Sequence, residues 1–308
     1  MSGALDERAA QDDAMRPVPR ELRLLPFRGS LAVASKVLTW GQLRGPTWRR
    51  LLPDVYVAAD VEIDHRVRCA AAILFACRAS VAGRIAVSGL SAAACWGVDL
   101  LQSGAPVELT VPPAVRIRSR PGELRVVRSH LSPSDVAAFG SLVLTSPERT
   151  TLDVIRRSGR ADGVVLLDAM LRRRIVTVPG LRDASATWLG RRGGLRIMEA
   201  LRLAEPLSES PMETRSRLVL VDGGLPRPVA QYVVRDSDGR FVARLDLAYP
   251  LHRVGLEYEG DHHRERVTFR RDIARLNRLT EMDWLVVRIT ADDIYRNPAR
   301  LARRVAEI

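Results

Sequence analysis

The sequence predicts an α/β (α+β) protein, with an αβββαβ core at its C-terminal end behind a mixed α/β domain. Three observations carry that expectation. Helix starts of the Ser-Pro type occur at Ser146-Pro147 and Ser210-Pro211, where serine caps free N–H groups and proline presets the first turn. Strand-like segments flank Asp236-Ser237-Asp238-Gly239, a strong hairpin turn signal. Apolar runs are short: Cys69 to Cys77 spans nine residues, far below the roughly 20 needed to cross a bilayer. No membrane partner is expected.

Residues 1–28 are polar and aperiodic and read as a mobile leader. The first 20 contain Asp6, Glu7, Asp12 and Asp13 and no apolar core of a signal peptide, so a cytoplasmic location is expected. Over residues 29–60 a short helix (Leu31–Val37) and a second (Trp40–Leu43) precede Arg49-Arg50 and an extended piece, Asp54–Ala58. This reads equally as a truncated winged helix or as a small helical cap. Residues 61–205 read as a mixed α/β domain. Two Ala-rich helices over 62–98 are separated by Ser88-Gly89-Leu90-Ser91. Strands follow at Val107–Val111 and Glu123–Arg128, then a helix after Ser146 and two more near Ala161–Arg173 and Leu195–Ala204. His65 and His130 are isolated and read as surface or core-satisfied. The three cysteines, Cys69, Cys77 and Cys95, lie in apolar stretches and read as buried free thiols.

Residues 206–308 form the last expected domain. Ser210-Pro211-Met212-Glu213 fits a capping box, and Gly223-Gly224 ends its helix. Strands are expected at Gln231–Arg235, Arg240–Ala248 and Arg253–Glu259. An amphipathic helix around Val267–Met282, with Ile273, Leu276 and Leu279 on its apolar side, leads to a buried strand, Leu285–Thr290, and a helix near Pro298.

Formal charge is +12, from 48 basic and 36 acidic residues, and Lys36 is the only lysine. So extreme a ratio points to codon composition rather than to selection at each site. Residues 1–205 hold 30 basic and 20 acidic residues, and residues 206–308 hold 18 and 16. A polyanion attracted by bulk charge would therefore be held mainly by the first two thirds.

The near-balance of the last domain comes from carboxylates. Alternation puts Phe241, Ala243, Leu245 and Leu247 on one strand face and Asp246 on the other. Glu257 and Glu259, two apart, share a face. A hairpin symmetric about Leu251–His252 places Asp246 opposite Glu257, and opposed like charges destabilise a strand pair. Three carboxylates on one patch of a hairpin ask for a hard divalent cation with oxygen ligands, Mg2+ (or Mn2+). Taken singly, each acid is also readable as a solvated side chain paired with an arginine such as Arg244 or Arg264. Glu213 is explained as well by its capping box as by a catalytic role. Asp272 and Arg275, three apart on a helix, would meet each other.

The order αβββαβ with Asp246 and then Glu257-Tyr258-Glu259 resembles the PD-(D/E)XK nucleases, whose core is restriction-endonuclease-like. More closely, the run Glu213-Thr214, Gly224-Leu225-Pro226, Asp246-Leu247-Ala248-Tyr249-Pro250, Val254-Gly255-Leu256-Glu257-Tyr258-Glu259-Gly260-Asp261-His262-His263, Arg271-Asp272, Arg275 and Trp284–Arg288 resembles the DUF559 proteins. These are relatives of the very-short-patch repair endonucleases. The resemblance covers about 100 residues. It implies metal-dependent hydrolysis of DNA phosphodiesters. Asp246 and Glu257 would be metal ligands, and Glu213 a helix-borne acid. His262 or His263 would act as an assisting base or phosphate contact. The catalytic set is then Glu213, Asp246, Glu257, Glu259 and His263, with His262, Arg264, Arg271 and Arg275 facing DNA. The motif's lysine is replaced by Glu259, so proton transfer falls to a histidine, a carboxylate or water on the metal.

The segments Leu38-Thr39, Gln42-Leu43-Arg44, Arg50-Leu51, Asp54-Val55-Tyr56, Ser88-Gly89, Ala92-Ala93 and Gly97 resemble AbiEi-type antitoxin/transcriptional regulators. That resemblance implies DNA binding, with Arg49 and Arg50 as phosphate contacts, and a toxin partner. Two functions are thus expected: a metal-dependent DNA endonuclease with a regulatory N-terminal region, acting as a homodimer where both strands are cut, or a DNA-binding regulator carrying an inactive nuclease-like domain.

Overall fold

The computed structural model describes residues 20–77, 85–260 and 266–308, the side chains of residues 21 and 266–272 excepted. The chain divides into two compact units, Met1–Thr150 and Thr151–Ile308. Among the described residues no helix is long and apolar enough to cross a membrane.

The first unit opens with β1 (Phe27–Arg28), α1 (Gly29–Ala34), α2 (Trp40–Arg44), β2 (Trp48–Leu52) and β3 (Val55–Ala58). The strands form an antiparallel sheet in the order β1-β3-β2. The expected leader therefore ends sooner than residue 28, because Phe27 meets Trp48 edge to face, stacks on Tyr56 and anchors β1 to the hairpin. Thr39 and Gln42 form a reciprocal capping box that starts α2. Ala32, Leu38, Leu43, Trp48 and Tyr56 make a small core. A Cβ on Gly29 would meet the Tyr56 ring at 2.6 Å, so this close approach requires glycine.

The rest of this unit is α3 (His65–Ala76), β4 (Ala86–Val87), α4 (Gly89–Cys95), β5 (Val107–Val111), β6 (Leu124–Arg128), β7 (Val136–Phe139) and β8 (Leu142–Thr145). They give a mixed sheet in the order β6-β5-β4-β8-β7. Ser88 stands at the start of α4, as expected, but β4, β7 and β8 were not foreseen. They are two- and four-residue strands whose alternation is too short to register. His65 is satisfied by Ser91, with Nε2 and Oγ 2.9 Å apart. All three cysteines are free; Cys69 and Cys95 are buried and Cys77 is half-buried.

From the end of the first unit run α5 (Pro147–Arg157), α6 (Arg160–Arg172), α7 (Val178–Ser185), α8 (Gly194–Leu203) and α9 (Pro211–Asp222). Then come β9 (Val229–Arg235), β10 (Phe241–Tyr249), β11 (Val254–Tyr258), α10 (Arg266–Glu281), β12 (Leu285–Ile289), α11 (Ala291–Tyr295) and α12 (Pro298–Ala306). The αβββαβ order expected after Pro206 is present, with the sheet order β12-β11-β10-β9 and β11 parallel to β12.

The compact unit containing this core starts some 50 residues before Pro206. The reason is a buried ion pair. Arg217 on α9, 0% exposed, donates to Asp168 on α6 at 2.8 Å and to the Leu203 carbonyl at 2.7 Å. Asp168 also accepts from the Thr214 hydroxyl and the Glu205 N–H. Arg160 reaches Asp222 on the same helix pair. The helical segment is therefore part of the C-terminal body.

Candidate active site

The turn Pro250–His252 sets the geometry of the acids. It joins β10 to β11 so that Leu247 pairs with Leu256, Ala248 with Gly255 and Tyr249 with Val254. These three pairs follow the register that the symmetric hairpin predicts, and the pairing ends one residue short of Asp246 and Glu257. Asp246 Oδ2 accepts the Tyr258 N–H across the hairpin at 2.9 Å.

The expected face alternation along β10 does not hold. Ala243, Leu245 and Ala248 pack with Leu279 and Trp284, whereas Leu247 packs with Leu220, Leu256 and Leu301. The change of face falls at Asp246. Across β9, the Arg244–Val233, Leu245–Tyr232 and Leu247–Ala230 pairs bracket Gln231, which holds a left-handed backbone with φ of 51°. Such a conformation is uncommon for a residue with a side chain.

Glu213 comes from the first turn of α9, where the side chain of Ser210 accepts its N–H and Pro211 occupies the first turn. The box is only half formed. Instead of reaching the Ser210 N–H, Glu213 Oε2 accepts the Glu209 N–H at 2.7 Å and Gln231 Nε2 at 2.8 Å. Glu213 is 6% exposed. Gln231 is a site residue that sequence reasoning missed, since a glutamine in a strand carries no signal of its own.

Burial first, and then the charges of Glu213 and Glu257, push the Asp246 carboxyl up to about 6; the Tyr258 N–H and Arg244 act against them. The three acids expected to act together are thus close enough to feel one another. Arg275 on α10 makes a two-pronged pair with Glu257, through Nη1 to Oε1 and through Nη2 to Oε2 at 3.1 Å. Glu259 donates its N–H to the Ile289 carbonyl and pairs with Arg288 at 2.9 Å. Arg244 pairs with Glu209. Of the expected apolar side of α10, Leu279 is buried but Ile273 is 43% exposed.

His262, His263 and Arg264 lie outside the described residues, as do the side chains of Arg271 and Asp272. Arg49 and Arg50 belong to the other unit, exposed on β2, and Arg49 donates to the Ala59 carbonyl.

Among the described residues no group of three or more His, Cys, Asp or Glu side chains is arranged to hold a metal. Asp246 and Glu257 nevertheless fit a hard divalent cation as a pair. Mg2+ takes one or two carboxylates and keeps several waters, and the like charges that raise Asp246 are what a cation relieves. Glu257 would have to share or release Arg275 to take part.

No protein-family model matches the chain. It is similar to two uncharacterized proteins of Mycobacterium tuberculosis, MT2308 and Rv2248. Each is 35% identical over 224 residues, covering 71% of this chain and 81% of the relative. The crystal structure of the RV2827C protein from Mycobacterium tuberculosis is similar over 75% of this chain and 88% of its own. Its TM-score is 0.40 and its identity 12%, too loose a likeness to carry an argument.

Proposed function

The chain belongs to the family of the mycobacterial proteins MT2308 and Rv2248, and from the geometry of its acids we propose that it is a metal-dependent DNA endonuclease. Its C-terminal body would act in the manner of the DUF559 and PD-(D/E)XK proteins. The observation that carries this reading is the gathering of Glu213 and Glu257 around a half-buried Asp246, whose carboxyl they help push up to about 6. Asp246 and Glu257 would hold Mg2+ or Mn2+. Such an ion supplies Lewis-acid polarisation of the scissile phosphate.

The remaining work falls to the chain's own groups. Glu213, fixed by the Glu209 N–H and Gln231, maintains the negative field that makes Asp246 receptive to a cation. Glu259 stands where the motif has lysine and is paired with Arg288. Proton transfer therefore falls to His262 or His263. Arg275 would leave Glu257 for a DNA phosphate, a charge-assisted contact that suits its planar fork.

The test is incubation of the full chain with supercoiled plasmid and with mismatched or branched duplexes, with and without Mg2+ or Mn2+, beside Asp246→Ala. Metal-dependent nicking by the parent chain alone is expected. Nicking that is equal in Asp246→Ala, or absent on every substrate, would falsify the reading.

A second reading is favoured by the Arg275–Glu257 and Arg288–Glu259 pairs, which neutralise two of the acids without a metal. On it the chain is an AbiEi-type regulator that binds DNA and carries an inactive nuclease-like domain. It predicts salt-sensitive, metal-independent retention of a specific promoter fragment. Retention no tighter than that of random DNA would count against it.

A further inference from the structure

The helical segment joined to the acid-bearing core carries an unusual charge balance. Between Arg160 and Glu205, four of five acids are taken up by arginines: Asp162 by Arg215, Asp168 by Arg217, Glu199 by Arg160 and Glu205 by Arg227. Only Asp183 has no ion-pair partner among the described residues. Against it stand Arg173, Arg174, Arg182, Arg191, Arg192 and Arg202, all exposed. None of their guanidinium groups has an ion pair or hydrogen bond among the described residues.

These six arginines leave this segment with uncompensated positive charge that nothing else in its own body balances. Arg191 and Arg192 sit on a loop between Gly190 and Gly193, at φ of 72° and 91°. Exposed Leu189 precedes them. Two left-handed glycines let the backbone turn so that both guanidinium groups reach solvent. The segment is fastened through Asp168–Arg217 and Arg160–Asp222 to α9, the helix whose first turn supplies Glu213. Anything bound to these arginines is therefore held by the same compact unit that carries the acids.

We infer that the segment Arg173–Arg202 is the duplex-DNA tethering surface of this body, binding phosphates along the backbone without reading sequence. The inference rests on the nucleic-acid reading above for the identity of the polyanion. It narrows the region that bulk charge indicates, residues 1–205, to one stretch inside the C-terminal compact unit. Unpaired guanidinium groups are the side chains suited to phosphate oxygens, and neutralising phosphates releases counterions, so the contact has a measurable salt signature.

The test uses the full chain and a fluorescein-labelled duplex of random sequence, titrated in chelator across a range of salt. The quadruple variant Arg173→Gln, Arg182→Gln, Arg191→Gln, Arg192→Gln should bind roughly 10- to 100-fold more weakly, and its slope of log affinity against log salt should be shallower by about 3 to 4. The matching quadruple Arg→Lys variant should keep the slope. Arg49→Gln with Arg50→Gln should change it less than the quadruple variant does. Because the four guanidinium groups make no ion pair or hydrogen bond among the described residues, an unchanged thermal midpoint is expected, and the Lys variant controls for any loss of fold.

An unchanged slope in the Gln variant would overturn the inference. So would tighter binding of the parent to single-stranded RNA or to phosphatidylserine vesicles than to duplex DNA. The two claims are separable: salt-sensitive binding in chelator that follows the arginines, with no plasmid nicked when Mg2+ or Mn2+ is supplied, sinks the endonuclease reading alone. Metal-dependent nicking with an unchanged slope sinks this one alone.

Discussion

Asp168 and Asp246 lie in the same body, and burial pushes both carboxyls up to about 6, yet their neighbourhoods have opposite sign. Asp168 faces the Arg217 guanidinium, the Thr214 hydroxyl and the Glu205 N–H, each of which favours the carboxylate. Asp246 receives one strong donor, the Tyr258 N–H, and faces Glu213 and Glu257. The first site offsets its desolvation from within and is closed: it joins α6 to α9. The second is balanced only in part, by Arg275 on Glu257. The same residue type, fully buried at Asp168 and half-buried at Asp246, serves architecture in one place and, on the proposed function, would take a ligand in the other.

The largest effect should come from opening the closed site. Arg217→Ala leaves Asp168 buried without its counter-charge and should cost about 3 to 5 kcal/mol in urea unfolding of the full chain. Replacing both partners, Asp168→Leu with Arg217→Met, should recover most of that loss. A cost under about 1 kcal/mol for Arg217→Ala would mean that the pair does not hold the helical segment to the core, and the comparison would fail at its first term.

The open site should behave in the opposite way. Asp246→Asn removes a repelled charge and should stabilise the chain by about 1 to 2 kcal/mol at pH 8, discounted for partial exposure. The sign follows from the carboxyl being held above its ordinary 3.8 when folded. The folded state grips the proton more tightly than the unfolded one. The Asp246 contribution is therefore most favourable below about 3.8 and is lost as pH rises through about 6. The stability difference between parent and Asp246→Asn should thus grow from pH 4 to pH 8 and then level off. A destabilised Asp246→Asn would place Asp246 in the structural class of Asp168.

The two sites also differ in how far they could be read in advance. The hairpin register from Leu247–Leu256 to Tyr249–Val254 was legible because a tight turn sets register locally, and the element order of the core was legible from its turn and cap residues. The Asp168–Arg217 pair joins positions 49 apart through tertiary packing, which no local pattern encodes. The boundary expected at Pro206 was misplaced for the same reason. The change of face at Asp246 escaped because strict alternation assumes regular backbone, and Gln231 departs from it. Helix spacing could not indicate that Arg275 reaches a strand partner, Glu257, and the Asp272 side chain that spacing sets beside it lies outside the described residues.

Gln231 sharpens the comparison at about 1 kcal/mol. Its left-handed φ costs a residue with a Cβ roughly 1 to 2 kcal/mol relative to glycine. Gln231→Gly relieves that strain but loses the amide that Glu213 accepts, whereas Gln231→Ala loses the amide and keeps the strain. Gln231→Gly should therefore be more stable than Gln231→Ala by about 1 kcal/mol in thermal or urea unfolding. Equal stabilities would show that the backbone there carries no strain for the acid cluster to exploit.

The smallest effect concerns who compensates the open site. Arg275 and a divalent cation compete for Glu257, so Arg275→Gln should bind Mn2+ about 3- to 10-fold more tightly in calorimetric titration of the full chain, a gain near 1 kcal/mol. The gain is modest because Arg275 is partly exposed and its pair with Glu257 is correspondingly screened. Binding to both chains should weaken as pH falls below about 6, since a proton on Asp246 then occupies the ligand the cation needs. Tighter binding with that pH dependence assigns the negative excess to a metal. If neither chain takes up Mn2+ at pH 8, Arg275 is itself the permanent counter-charge. The acid cluster would then be closed in the manner of Asp168, by an arginine from a neighbouring helix, and the regulator reading would follow.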